Sequence, residues 1–344
     1  MPRRALHAGA VLLLCLAALL WLPAPAAADD TSLPDARPVE VAVGFFLLNL
    51  SGVAERSETF EADLYLSLRW RDARLAFEGT EPRLFLDDAA VLRLKGMWWP
   101  QLEFVNTAEP DVTNRALAIS PDGSVSYQVG VTAAYRADLD LRRFPFDRQT
   151  LAVRLQSFTW TRSQMVFVPD ANRIGFNRES TFEGLAVDRV STEIRQTDLM
   201  GWPAAESFSE FVARIEVRRR AAFYIWTVFT PVILIFLISC TSFVVPIEHF
   251  SERIGISLTT LLACIATQFA ISFNLPQISY LTMIDRVFVV TYCCIALGVL
   301  ISTLQATLLA GQGERAARRL DRLAGLGLPA LFLLLLGLFA IAIW

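Results

Sequence analysis

Cysteine is almost confined to the most apolar stretches of this 344-residue chain. Of five cysteines, Cys15 lies in an N-terminal apolar run, and Cys240, Cys264, Cys293 and Cys294 lie in long C-terminal ones. Residues 29–220 contain none, so a disulfide framework is excluded there, and a region of about 190 residues must hold together by its own core. Histidine is equally scarce, with only His7 and His249 in the whole chain. Without histidine or cysteine, residues 29–220 have no metal-ligand cluster and no Ser-His or Cys-His pair. No motif marks a carboxylate pair either, so an enzyme is disfavoured and neither metal nor cofactor is expected. Charged residues make up only 19% of the chain, the net charge is -3, and no basic block points to nucleic acid.

What the chain has in excess is apolar residues, at 54%, and they lie in blocks. An uncharged stretch of about 17 to 25 residues crosses a bilayer core as a helix. Four such stretches crowd the C-terminal third: residues 222–245, 254–273, 287–310 and 323–344. At the N-terminus, Arg3 and Arg4, the apolar run from Val11 to Leu22, and Ala26 to Ala28 read in order as the basic, hydrophobic and cleavage regions of a signal peptide over residues 1–28. The organisation expected is therefore a signal peptide (1–28), an exported domain (29–220) and a membrane domain (221–344). Between the third and fourth spans, Arg315, Arg318, Arg319 and Arg322 outnumber Glu314 and Asp321, which places that loop in the cytoplasm. Both ends of the mature chain then lie outside, in a multi-pass protein of a bacterial-type inner membrane. Arg218, Arg219 and Arg220 oppose this charge rule, and pairing within the exported domain would account for them.

The exported region has short alternating segments with turn signals such as Pro121-Asp122-Gly123. Strands are expected at residues 39–50, 59–70, 116–119, 124–134, 149–158 and 211–217, where β-branched or aromatic residues mix with polar ones. An antiparallel sandwich fits this pattern, and an open barrel fits it almost as well.

The second span stands apart because it holds Ser257, Thr259, Thr260, Thr267 and Gln268, a polar content that calls for water or protein on part of its surface. Steps of four and three from Gly255 give Thr259, Leu262, Ala266 and Phe269 on one face. Repeated around an axis, Leu262 and Phe269 would form apolar rings able to gate by dewetting, and Glu252, one turn below Gly255, a carboxylate ring attracting cations. The competing reading makes Glu252 and Arg253 ordinary interfacial residues beside a packed helix. A single protomer of four helices has no room for a pore, so the first reading requires an oligomer.

Phe144-Pro145-Phe146-Asp147-Arg148-Gln149 resembles the signature loop of the pentameric ligand-gated ion channels, the Cys-loop receptor superfamily. The bracketing cysteines of the animal members fall here on Ala137 and Leu151, as in prokaryotic members. Trp99-Pro100 with Leu102 to Asn106, Trp70, Pro231, Ser251-Glu252-Arg253 and Asn274-Leu275-Pro276 extend the resemblance over the mature chain. Asp35 to Val39 and Phe250 to Arg253 bring it nearest to the bacterial amine-gated channels. The resemblance implies a homopentamer, a ten-strand sandwich over a four-helix bundle, and an agonist site between subunits.

Position by position, it implies Phe158 as the central aromatic, with Trp160, Phe208, Trp202 and Asn106 on the same subunit and Tyr65 on the neighbour. An aromatic box of this kind holds a cation through ring quadrupoles. The relatives' acidic residue two positions before the aromatic is Gln156 here, which puts the same amine agonists in doubt; Asp198, Glu206 and Glu210 could substitute for it, although each reads first as a solvated loop charge. Coupling to the pore is implied at Phe144, Pro145, Phe146 and Asp147, at Val53 and Glu55, and at Pro276 and Tyr280, with Arg219 or Arg220 pairing Asp147 or Glu55. The partners expected are the chain itself, lipid, monovalent cations, and either a small agonist such as an amine or protons. A non-conducting solute sensor of the same architecture is the alternative, and four helices without internal repeats exclude an inverted-repeat transporter.

Overall fold

In a computed structural model, residues 31–35, 37–178, 184–198, 207–273, 278–311 and 313–343 are described. The expected signal peptide, Trp202, Glu206 and Pro276 lie outside them. Ten strands form two sheets: β1 (Val39–Ala54), β2 (Thr59–Arg71), β3 (Arg83–Leu86), β5 (Asp111–Ile119), β6 (Ser124–Arg136) and β8 (Met165–Phe176) in one, and β4 (Leu102–Phe104), β7 (Arg148–Ser157), β9 (Leu185–Asp198) and β10 (Ser207–Arg219) in the other. The orders are β3-β5-β6-β2-β1-β8 and β4-β7-β10-β9. All pairings are antiparallel except β1 with β8. The sandwich, and not the open barrel, is the architecture present.

The alternation along each strand explains the layering. In β2, Phe60, Ala62, Leu64, Leu66, Leu68 and Trp70 are buried, while Glu61, Tyr65, Arg69 and Arg71 face out. Their buried set meets Leu151, Val153 and Leu155 of β7 and Phe211, Ala213 and Ile215 of β10 in one core. A short helix, α1 (Asp87–Lys95), covers one end through Ala90 and Leu94.

Four helices follow: α2 (Ala222–Phe243), α3 (Phe250–Ser272), α4 (Met283–Ala310) and α5 (Glu314–Ile343). Helix α2 widens into a π-type turn at Ile225–Phe229, just before Pro231, which has no N–H to donate. The Thr230 hydroxyl donates to the Ile225 carbonyl at 3.0 Å, the same oxygen that accepts the Thr230 backbone N–H. Helix α4 opens on a capping box in which Thr282 and Asp285 bond each other's backbone N–H. Helices α3, α4 and α5 begin four, four and nine residues before the hydropathic expectation, because polar and charged turns continue the helix beyond its apolar stretch. Most of the expected cytoplasmic loop is thus the first turns of α5.

Candidate functional sites

Three regions collect the side chains singled out from the sequence. The first is the end of the four-stranded sheet where β7 and β10 run side by side. Gln156 and Glu210 are cross-strand partners there, and both are buried. Glu210 is therefore no solvated loop charge. Its carboxylate accepts from Arg154 Nε at 2.7 Å and from Thr197 Oγ1 at 3.2 Å. Asp198, by contrast, is exposed at the end of β9. Two residues beyond Gln156, Phe158 has 38% of its surface exposed, whereas Phe208, two residues before Glu210, is buried.

Trp160 turns inward, 5.9 Å from the Trp98 ring, and its indole N–H donates to the Trp99 carbonyl at 3.2 Å. Asn106 is committed to the backbone: its amide donates to the carbonyls of Arg136 and Ala152 and accepts from the Arg154 N–H. Tyr65 stands on β2, in the other sheet, 42% exposed and paired with Gly130 of β6. Of the described aromatic residues expected in an agonist site, Phe158 and Tyr65 offer exposed rings, Phe158 just after β7 and Tyr65 on β2 of the other sheet.

The second region is the junction of sandwich and bundle. Arg219, at the end of β10, is 7% exposed; its Nη1 lies 2.5 Å from Glu55 Oε1 and its Nε 2.9 Å from Asp147 Oδ1. Its guanidinium also covers the Phe144 ring at 4.7 Å. Burial pulls its pKa down, but the hydrogen bond to Asp147 and the charges of Asp147 and Glu55 outweigh that, and the net shift is upward. The pairing expected for Arg219 or Arg220 thus falls to Arg219, which takes both acids. The Arg220 side chain is exposed and its N–H donates to the Gly184 carbonyl. Asp147 accepts a further bond from Gln149 Nε2 at 2.6 Å.

The loop around Phe144 enters the bundle. Phe144 and Leu141 are buried with Val228, Val232, Ile284 and Phe288. Phe144 meets Tyr224 edge to face at 4.8 Å, and Phe146 approaches Phe229 at 6.0 Å; Pro145 between them is buried. The Tyr280 hydroxyl, between α3 and α4, accepts from the Leu141 N–H at 3.1 Å. Val53, at the tip of β1, is half-buried against the sandwich core.

The third region is α3. Arg253, Ser257, Thr260 and Cys264 form its buried stripe, and Glu252, Gly255, Thr259, Leu262, Ala266 and Phe269 are exposed. The polar residues that distinguish this helix divide in a way composition does not reveal. Ser257 and Thr260 turn into the bundle and donate to backbone carbonyls of their own helix, and Gln268 accepts from the Tyr292 hydroxyl at 2.6 Å. The exposed stripe is thus apolar apart from Thr259 and Glu252, with Leu262 and Phe269 its large members. Arg253, read as interfacial, is in fact buried. Standing one residue before the expected span and next to Glu252, it carries no local mark of the partners that bury it.

Residues 29–221 match the neurotransmitter-gated ion-channel ligand binding domain. Over 327 residues the chain is 27% identical to a proton-gated ion channel of Gloeobacter violaceus, covering 92% of this chain and 88% of that protein. A matched ligand-binding domain folded as a ten-strand sandwich, continuing into four apolar helices of membrane length, accounts for every region described above. The chain therefore belongs to the neurotransmitter-gated family of pentameric ligand-gated ion channels, membrane proteins that are channels and not enzymes.

Proposed function

We propose that five copies of this chain form a cation-selective channel in a bacterial-type inner membrane, opened from the exported side, with α3 lining the pore. The observation that carries this reading is the exposed stripe of α3, which runs from the Glu252 carboxylate past Gly255 and Thr259 to Leu262, Ala266 and Phe269. An outward stripe that is mainly apolar with one acidic end suits rings around an axis: carboxylates to concentrate cations and apolar constrictions to gate them. In this reading the ends of the mature chain lie on the exported side, which the arginines in the first turns of α5 support.

The agonist site is assigned to the junction between copies, with Phe158 on one face and Tyr65 on the next. Within one subunit the first ring follows β7 and the second stands on β2 of the other sheet, so a neighbouring copy is needed to bring such a pair together. Coupling runs from that site through Phe144, Asp147, Glu55 and Arg219 to Tyr280. Protons are the favoured stimulus. The relative from Gloeobacter is named as proton-gated, and here Glu210, the buried acid beside Gln156, is already committed to Arg154. A small amine is the second reading, favoured by the two exposed rings.

Recording from cells that express the full chain, with external pH stepped first and small amines applied next, tests both. The expected outcome is a cation current on acidification whose selectivity weakens in Glu252→Ala. Assembled surface pentamers that stay silent to both stimuli would favour a non-conducting sensor.

A further inference from the structure

The cytoplasmic end of the bundle contains a buried charge that nothing in the mechanism above uses. Arg253 is 1% exposed, one residue after Glu252 and within a helix of membrane-spanning length. A guanidinium in such a place is strongly unfavourable unless it is paired and its donors are satisfied. Arg253 is satisfied from three directions. Its Nε donates to the Val245 carbonyl at 2.9 Å, in the turn between α2 and α3. Its Nη1 donates to Gln305 Oε1 on α4 at 2.6 Å, and its Nη2 pairs with the Asp321 carboxylate on α5. Gln305 Nε2 donates to the same Asp321 oxygen, and the Phe243 ring lies under the guanidinium at 5.5 Å.

One side chain thus ties α3 to each of the other three helices. Helices α3 and α5 are otherwise poorly connected, since α5 packs mainly on α4 and also on α2. One turn before Asp321, Arg318 makes a looser second link, reaching Glu248 in the turn before α3 at 3.4 Å.

Successive residues of an α-helix point about 100° apart, so drawing Arg253 into the bundle turns its neighbour away from it. Glu252 accordingly has 65% of its side chain exposed. From this geometry we infer that Asp321, through Arg253, is a positioning residue for Glu252, and that a carboxylate on α5 which meets no permeating ion sets the selectivity of the inner mouth. The inference rests on the channel reading for its effect on current, but not for its effect on the orientation of α3.

Two readouts test it in the full chain. The first is the reversal potential under a salt gradient. The second is the rate at which a charged, water-soluble thiol reagent modifies Glu252→Cys in membranes, with Cys293 replaced by serine. Asp321→Ala should move the reversal potential away from the cation equilibrium and slow the labelling severalfold, and Asp321→Glu should restore both. If a lone buried arginine prevents Asp321→Ala from assembling, the double variant Arg253→Met with Asp321→Leu removes both charges, and should fold yet show the same two changes. Wild-type selectivity and labelling in either Asp321→Ala or the double variant overturns the inference. If the wild-type chain carries no current, the channel reading fails separately, and the labelling rate still decides the orientation of α3.

Discussion

Tyr135 is fully buried in the sandwich core near the end of β6, its ring stacked on Phe60 at 5.3 Å and inclined to Phe104 at 5.8 Å. Its hydroxyl is buried and, among the described residues, has no hydrogen-bond partner. A buried unpaired polar group costs on the order of 1–3 kcal/mol, so Tyr135→Phe should keep the ring contacts, remove that cost and raise the melting temperature. Burial also pushes the phenol pKa well above its ordinary value. The unfolded tyrosine ionises near pH 10 while the folded one does not. Tyr135 therefore withdraws stability as pH rises above about 10 and leaves it unaffected below that. Thermal melts of the two proteins between neutral pH and pH 11 should diverge further at the alkaline end; parallel curves would show that the hydroxyl reaches water. The same scale explains why some site residues were legible and others were not. Phe158 and Tyr65 were singled out through family positions alone, and both rings are exposed. The inward turn of Trp160, the backbone duty of Asn106 and the Arg154–Glu210 pair depend on strand register across the sandwich, which no local pattern encodes.

At the scale of elements, the strands most legible in the sequence are those with one face in the core and one in solvent, such as β2 and β6. Strand β9 escaped because only Leu185 along it is fully buried, and Glu193, Arg195 and Asp198 make it read as a loop. In β8, Pro169 and Gly175 broke the pattern, and β3 and β4 are too short to show one. The hairpin between β5 and β6 was readable from Pro121-Asp122-Gly123, and the structure gives that signal a reason. Gly123 has φ of +80°, and a Cβ there would lie 2.5 Å from the Asp72 carbonyl oxygen, a backbone atom that cannot swing away. Asp122 holds the turn from its other side by accepting from the Ser124 N–H and hydroxyl, bonds that keep its carboxyl below the usual range. Gly123→Ala should therefore destabilise the sandwich by more than about 1 kcal/mol, read as a lowered melting temperature. An unchanged melt would mean that the β2 end moves aside freely.

Over the whole molecule, sandwich and bundle are joined less by the short connection after β10 than by side chains that cross the junction. The Glu55–Arg219–Asp147 cluster belongs to three separate segments, and removing one partner of a buried pair of this kind costs roughly 3–5 kcal/mol because a charge is stranded. Asp147→Arg, which sets two guanidiniums together, should abolish either assembly or the response to stimulus, scored by pentamer yield in detergent and by current. Normal pentamers with normal currents would remove the cluster from the coupling route. The succession of a strand-rich region and four apolar helices of membrane length was legible because it rests on composition over long windows. The meeting of Phe144 with α2 and α4 was not, since it joins residues far apart in the chain, from Phe144 to Tyr224 on α2 and to Phe288 on α4.

That meeting bears on any effort to work with the sandwich in isolation. Leu141 and Phe144 are core residues of the bundle, although the sandwich carries them. A soluble fragment ending near Arg220 would present these two side chains, with the exposed Phe146 beside them, as a bare greasy plug where its socket had been. Such a fragment would need that tip recoded with polar residues before its ligand binding could be measured free of self-association.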